Sequence, residues 1–512
     1  MSLLSKVCTF VTLFNHVAGQ CTHCAAHILL RRCHLHCTVM ADCSHPVAGA
    51  GAGAGAGDGG SGAGSPWCGV VAAKKDPIFG FAAMVEADPN PDKESFVVGA
   101  YRDGEGRPVV LSAVAEAARR VMDGNHGHEY LPMTGHAKFC AGATKLLYVR
   151  RLCSQCLQPL TFSLVACVGS PGRYGESCTA LREGRIASCQ SLSGTGALRV
   201  GAVFCQRFNP GKPVLISDPT WANHDGIFTD GGLATRKYRY IDAETQTLAI
   251  DDMLADVRAA PEGSILLLHA CAHNPTGVDP SHEQWERIAA VCAERRMIPF
   301  FDCAYQGFAT GDLEADAFAV RMFAERGLPV MAAQSFSKNC GLYSQRIGNL
   351  TVVAASREER ERVIGNVARI ARTMYSNPPS HGARLVHEIL RDPELYKQWK
   401  GDCRMMADRI GAMRTALVEE LRKQGSTRDW SHITNQIGMF SYTGLTAHQC
   451  EVMRTRHHVY VLSSGRVSMA AVTPHNVVKL AKAMVDVTEV PANTVPGTAD
   501  GSDSDERRTV VA

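Results

Sequence analysis

Short apolar runs alternate with helical periods along most of the chain. The runs "SILLLHA", "MIPFFDCAY" and "LPVMAAQSF" have strand length, and between them stand "EQWERIAAVCAERR" and "DAFAVRMFAERG", whose apolar residues recur at helical spacing. Short buried strands alternating with helices predict a mostly parallel α/β sheet. Such a sheet places its chemistry at the carboxyl ends of its strands, so polar residues there carry the information.

Three of those ends are unusual. After "SILLLHACA" comes "HNPTG", with Asn274 at a tight turn; after "MIPFF" comes Asp302, with Tyr305 close behind; after "LPVMAAQ" comes "SFSK", ending in Lys338. A strand ending in a carboxylate next to one ending in a lysine suits either a structural ion pair at the sheet edge or paired ionic chemistry. Upstream, "SLSGTGALR" (191–199) is a Ser/Gly/Thr turn opening a helix, whose N–H groups and hydroxyls suit a phosphate at the positive end of the helix dipole. Arg346, in "GLYSQRIG", offers the same anion a bidentate partner. An amine, a carboxylate and a phosphate cradle meet the needs of pyridoxal 5'-phosphate: a group to form the imine, a group to keep the pyridine nitrogen protonated, and an anchor.

Composition narrows the classes. With 512 residues, 45% hydrophobic and 20% charged, the chain can bury a large core and hold two or more domains. A formal charge of +3 without a basic, aromatic-interleaved stripe argues against nucleic acid, and no apolar run reaches the ~18 to 20 residues of a membrane span. The 20 cysteines are dispersed over a long chain, which favours a reducing compartment over a disulfide scaffold. "CTHC" followed by "CHLHC" raises zinc, but the gap from Cys24 to Cys33 is shorter than finger spacing and no patterned helix follows, so no metal is expected. The acid-poor leader, followed by "GAGAGAGDGGSGAG", fits a transit peptide and flexible linker. It implies a mitochondrial or plastid destination; without a transit function the expectation is cytoplasmic.

From "DPIFGF" to about "VDVTEV" the chain resembles the aspartate aminotransferases of the class I aminotransferase family, fold type I pyridoxal-phosphate enzymes. The resemblance is carried by "VGAYRD", "EYLP", "SGTGALR", "PTWANH", "LLLHACAHNPTGVDP", "FFDCAYQGF", "SFSKNCGLY", "MYSNPP", "HGAR", "QIGMFSYTGL" and "GRVS", in the family's order. Val97 and Ser344 depart from it, standing where the family has glycine. So does "VRRLCSQCLQPLTFSLVACVGSPGRY", Val149 to Tyr174, whose removal restores the family's continuity.

The resemblance implies a large domain with a mostly parallel central sheet, plus a smaller α/β domain built from both chain ends. It divides the chain into a leader and linker (1–75), an arm with part of the small domain (76–108), a large domain (109–405, with 149–174 inserted), a small domain (406–490) and a tail (491–512). It implies that Lys338 forms the imine and shuttles the proton, that Asp302 pairs with the pyridinium nitrogen, that Tyr305 and Asn274 bond the ring oxygen, and that Trp221 stacks on the ring. The phosphate would be held by Ser193, Gly194, Thr195, Ser335, Ser337 and Arg346, with Tyr130 from a neighbouring subunit. Arg466 would take the α-carboxylate, with the Gly99 backbone nearby, and Arg372 would cross a homodimer interface to a distal carboxylate. Two arginines at opposite ends of a site select dicarboxylic amino acids and their 2-oxo acids, because the guanidinium fork matches carboxylate. The expected reaction is ping-pong transfer of the amino group of aspartate to 2-oxoglutarate. Aromatic transamination, or a catalytically dead scaffold of the same fold, are the alternatives.

Overall fold

The computed structural model describes residues 67, 69–72, 77–150 and 178–489. The leader and its linker, the tail, and residues 151–174 of the inserted segment lie outside the described residues. Eleven strands occur among the described residues: β1 (Glu94–Ser95), β2 (Ile186–Leu192), β3 (Val214–Asp218), β4 (Thr235–Arg239), β5 (Ile265–His269), β6 (Ile298–Cys303), β7 (Met331–Ser335), β8 (Ile347–Val353), β9 (Phe440–Tyr442), β10 (Val459–Tyr460) and β11 (Arg466–Ser468). Seven form one sheet in the order β2-β8-β7-β6-β5-β3-β4. Its pairings from β4 through β7 are parallel, and β8 runs antiparallel to both β7 and β2.

Alternation along each strand explains why these runs are apolar throughout. Ile265 and Leu267 of β5 join a core with the helices Ser193–Phe208 and Arg357–Tyr375, whereas Leu266 and Leu268 join another with the helices Ile250–Ala259 and His282–Glu294. With both faces covered, the period of two leaves no polar face. Truncating a residue as enclosed as Phe300, 0% exposed, to alanine would cost about 3–5 kcal/mol. The helix Ser193–Phe208 seats directly on that ring, since a Cβ at Gly201 would stand 2.4 Å from Phe300 Cζ.

The helix His282–Glu294 has local causes. Ser281 Oγ accepts from Gln284 N while Gln284 Oε1 accepts from Ser281 N, a capping box, and Trp285, Ile288, Ala289 and Cys292 bury one stripe. Two small sheets bring distant segments together: β1 pairs with β10 in parallel, and β9 pairs with β11 antiparallel. The helix Pro393–Lys423 is continuous through the expected boundary at residue 405.

Strand direction assembles the site. Ser193 follows β2, Asn274 follows β5, Asp302 is the last residue but one of β6 and Lys338 follows β7, all at one edge of the sheet. Because β8 is antiparallel, its start lies at that same edge, which delivers Arg346 there.

Candidate active site

Fifteen residues were expected to carry the chemistry, and thirteen line one cleft of about 220 Å³: Gly99, Ser193, Gly194, Thr195, Trp221, Asn274, Asp302, Tyr305, Ser335, Ser337, Lys338, Arg346 and Arg466. Ala304, Tyr343 and Phe440 complete its lining.

At one end of the cleft, hydroxyls converge. Ser193 Oγ lies 2.9 Å from both Ser335 Oγ and Ser337 Oγ, and Arg346 Nη1 donates to Ser337 Oγ at 3.4 Å. Ser193 opens its helix at φ +62°, and no side chain caps the helix start. Ser193 N already donates to Arg346 O at 3.1 Å, so the donors this turn can offer an anion are the hydroxyls, the Arg346 guanidinium and the helix-start N–H groups beyond Ser193. Gly194 keeps the approach close: a Cβ there would stand 3.2 Å from Ser335 Cβ and 4.0 Å from Asp302 Oδ1.

Asp302 is buried at the end of β6, and its Oδ2 lies 3.0 Å from His224 Nε2. Burial pushes the carboxyl upward, but the hydrogen bond to His224, helped by the nearby Lys338 amine, outweighs it and holds the group below its ordinary range. Behind His224, Thr220 Oγ1 stands 2.8 Å from His224 Nδ1 and 3.4 Å from His269 Nε2, and His269 lies beside His273 at 4.1 Å between ring centroids. Burial pulls His269 down to about 3 and keeps it neutral. "PTWANH" and "HACAHNPTG" contain these histidines, but a histidine in an apolar run gives no sign of what it faces. Only the pairing of His269 with Asp302 in adjacent strands shows it.

Lys338 Nζ stands 5.1 Å from the Tyr305 ring centroid. Burial lowers its proton affinity, Asp302 opposes that, and Arg346 and Arg466 add to it. A lysine so placed gives up its proton more readily than one in water, as an amine nucleophile and proton shuttle requires.

At the opposite end, Arg466 is 3% exposed, and its Nη2 donates to Val97 O at 2.8 Å while Nη1 reaches Asn274 Oδ1 at 3.4 Å. Its Nε is buried without a partner. Burial pulls the guanidinium down to about 10, with Tyr305 opposing. A buried guanidinium that lines a cleft and has no carboxylate paired with it among the described residues suits a substrate carboxylate.

Tyr130 and Arg372 do not line this cleft. Tyr130 is 87% exposed, and Arg372, exposed on the last turn of Arg357–Tyr375, bonds Ser376 Oγ and Asn377 Oδ1. Asn377 Nδ2 in turn donates to Leu131 O at 2.6 Å, which ties the two segments together on one surface.

The cradle, the buried carboxylate, the amine and Trp221 fit pyridoxal phosphate. Fold and site together define a pyridoxal-phosphate-dependent transaminase of fold type I. A family profile described as aminotransferase class I and II matches residues 91–484. The chain is 45% identical to the mitochondrial aspartate aminotransferase of Dictyostelium discoideum over 423 residues, 83% of this chain and 93% of that one. Among solved structures it is similar to an aromatic-amino-acid aminotransferase from Burkholderia pseudomallei covalently bound to pyridoxal phosphate (TM-score 0.75, 39% identity, 83% of this chain and 99% of that one). It is also similar to a mitochondrial aspartate aminotransferase from Trypanosoma brucei (TM-score 0.72, 41% identity, 80% of this chain and 100% of that one). The chain belongs to the aminotransferase class I and II family.

Proposed function

We propose that the protein is an aspartate aminotransferase, moving the amino group of L-aspartate to 2-oxoglutarate and giving oxaloacetate and L-glutamate by a ping-pong mechanism. The observation that carries the reading is Arg466, a buried guanidinium that lines a cleft already holding amine, carboxylate and anion cradle and that has no carboxylate paired with it among the described residues. Ser193, Gly194, Thr195, Ser335, Ser337 and Arg346 would anchor the cofactor's phosphate, Trp221 would lie against its ring, Tyr305 and Asn274 would bond the ring oxygen, and Asp302, bonded to His224, would keep the ring nitrogen protonated. When bound, pyridoxal phosphate supplies a carbonyl carbon for amine capture and a protonated ring that accepts the electron pair left by the α proton. Lys338 Nζ takes that proton and returns it. Arg466 receives the α-carboxylate beside the Gly99 backbone, and Arg372 the distal one.

Because Arg372 and Tyr130 lie outside their own chain's cleft but close together, the proposal includes a two-fold homodimer in which each copy completes the other's site. An aromatic substrate would leave a desolvated Arg372 without an anion, at a cost of about 1–3 kcal/mol. The test is kcat/KM for aspartate against phenylalanine with 2-oxoglutarate as acceptor: aspartate is expected to win by at least about 10-fold. Equal or reversed preference would replace the substrate reading with the aromatic one.

Replacing His224 with leucine is expected to shift the pH profile. Without its 3.0 Å partner, Asp302 keeps the desolvation that raises its pKa and loses the bond that lowers it. The acid limb of kcat/KM should therefore move to higher pH, by about 1–2 units. An unmoved limb would mean that His224 does not hold the Asp302 charge.

The inserted segment is proposed to be dispensable. Its flanks already meet, since Cys178 N donates to Tyr148 O at 2.9 Å. None of the cleft residues lies between them. A chain lacking Val149 to Tyr174 should be at least as soluble, bind cofactor and match the full chain's specific activity. A deletion that folds and binds cofactor but loses aspartate turnover would show that the segment serves the site. Organellar import is part of the same proposal, supported by the acid-poor leader and by the mitochondrial relatives. Residues 1–75 fused to a fluorescent reporter should direct it to an organelle; a diffuse signal would leave the cytoplasm as destination.

A further inference from the structure

Two turns meet behind the Arg466 end of the cleft. Gly277, at φ +67°, follows Asn274, and a Cβ there would stand 2.9 Å from both Ile437 O and Phe440 O. Gly438, at φ +79°, approaches Ala272 so closely that an added Cβ would lie 2.3 Å from the alanine Cβ. Ile437 N donates to Gly277 O at 2.8 Å. The segment before and within β9 is thus pressed against the Asn274 turn on one side.

On another side it is held by Arg414, from the helix Pro393–Lys423. Nη1 donates to Ile433 O at 2.9 Å, and Nη2 to Gly438 O at 2.9 Å and to Phe440 O at 2.6 Å. Arg414 is 3% exposed, its Nε has no partner, and no carboxylate among the described residues forms an ion pair with it. Burial pulls it down to about 9. A guanidinium desolvated among carbonyls alone is a costly way to stabilise a fold, because no anion offsets the lost hydration. What it does provide is a planar fork that fixes three carbonyls relative to one another, which neither an apolar residue nor a lysine can do.

Those carbonyls control one ring. The Phe440 ring centroid lies 4.0 Å from Arg466 Cζ and 6.3 Å from the Tyr305 ring, edge to face, and its Cζ would stand 2.9 Å from a Cβ on Gly99. Phe440 is therefore wedged among the guanidinium, the Tyr305 ring and the Gly99 backbone. Arg466 has few other constraints on its aim, since its bonds to the chain are one to a carbonyl and a long one to Asn274.

We propose that Arg414 is a positioning residue for substrate carboxylate recognition: by clamping the carbonyls of Ile433, Gly438 and Phe440 it fixes the Phe440 ring against Arg466 and so aims that guanidinium into the cleft. The inference rests on the reading of Arg466 as the α-carboxylate group. It differs from a stability role in what it predicts, because a misaimed Arg466 weakens substrate binding without disturbing Lys338, Asp302 or the phosphate cradle.

The test uses the full-length holoenzyme. Arg414→Lys keeps the charge but not the fork, and it should raise KM for both the amino acid and the 2-oxo acid by about 10-fold, with kcat changed less than about threefold, because uniform binding is what is lost. Visible cofactor absorption should be unchanged. In an Arg466→Lys background the same substitution should cost less than about twofold, since the group it aims is already altered. Phe440→Leu, which leaves the Arg414 bonds in place, should reproduce the KM split, so the outcome does not depend on any Arg414 variant folding. A loss in kcat with KM unchanged, an equal loss in both Arg466 backgrounds, or an unchanged KM in Phe440→Leu would each overturn the proposal. Failure of the aspartate reading is separable: wild-type protein would then not turn over aspartate, and the KM split would be measured with the amino acid it does accept, because every amino acid carries the α-carboxylate.

Discussion

Lys338→Ala is expected to lower multiple-turnover transamination by at least about 10⁴-fold, because it removes both the amine that captures the cofactor and the base that moves the α proton. The anchor is separate from the amine. Ser193, Ser335 and Ser337 meet through 2.9 Å contacts that do not involve Lys338, so the variant should still hold pyridoxal phosphate, now without a covalent bond. Equilibrium dialysis should find cofactor retained, while borohydride reduction should no longer fix it to the chain. Substantial turnover by the variant would assign the covalent role to another residue.

The second large effect concerns Arg372. Removing one partner of a desolvated, bidentate charge pair costs about 2–5 kcal/mol, so Arg372→Ala should lose about 10²–10³-fold in kcat/KM for aspartate while phenylalanine turnover falls much less. Arg372 is exposed beside Ser376 and Asn377, outside its own cleft, so in the proposed homodimer the loss would fall on the neighbouring copy's site. Mixing Lys338→Ala chains with Arg372→Ala chains should therefore restore activity, to roughly a quarter of wild type for random pairing, since each heterodimer contains one intact site. Verified heterodimers that stay inactive would mean that each site is built within one chain.

Both predictions depend on residues whose roles were legible to different degrees. Asp302 and Lys338 could be read from the chain itself, because a carboxylate and an amine ending buried strands are chemically conspicuous. Ser193 to Thr195 were legible as a helix-opening turn. Gly99, Tyr130, Arg372 and Arg466 had no such signal, as an arginine in a loop is ordinarily a surface charge, and they were found through the resemblance. Strand pairing was hidden: "IASCQSL" is too rich in small and polar residues to announce β2, and nothing local shows that β8 runs antiparallel and so brings Arg346 to the carboxyl edge. His224, Phe440 and Arg414 were missed for a related reason. Each acts through partners 78, 26 or more residues away, at Asp302, Arg466 and Phe440, and a histidine, a phenylalanine or a helical arginine carries no mark of such a partner. Only packing shows which of them faces the site.

The central claim is that the amine of aspartate displaces Lys338 from its bond to pyridoxal phosphate. The most direct measurement is the absorption spectrum of the purified holoenzyme, titrated first with aspartate and then with 2-oxoglutarate. The visible band of the lysine-linked cofactor should disappear on adding aspartate and return on adding 2-oxoglutarate, and Lys338→Ala should lack that starting band. A protein that shows no visible band when supplied with pyridoxal phosphate, or whose band ignores aspartate, would contradict it.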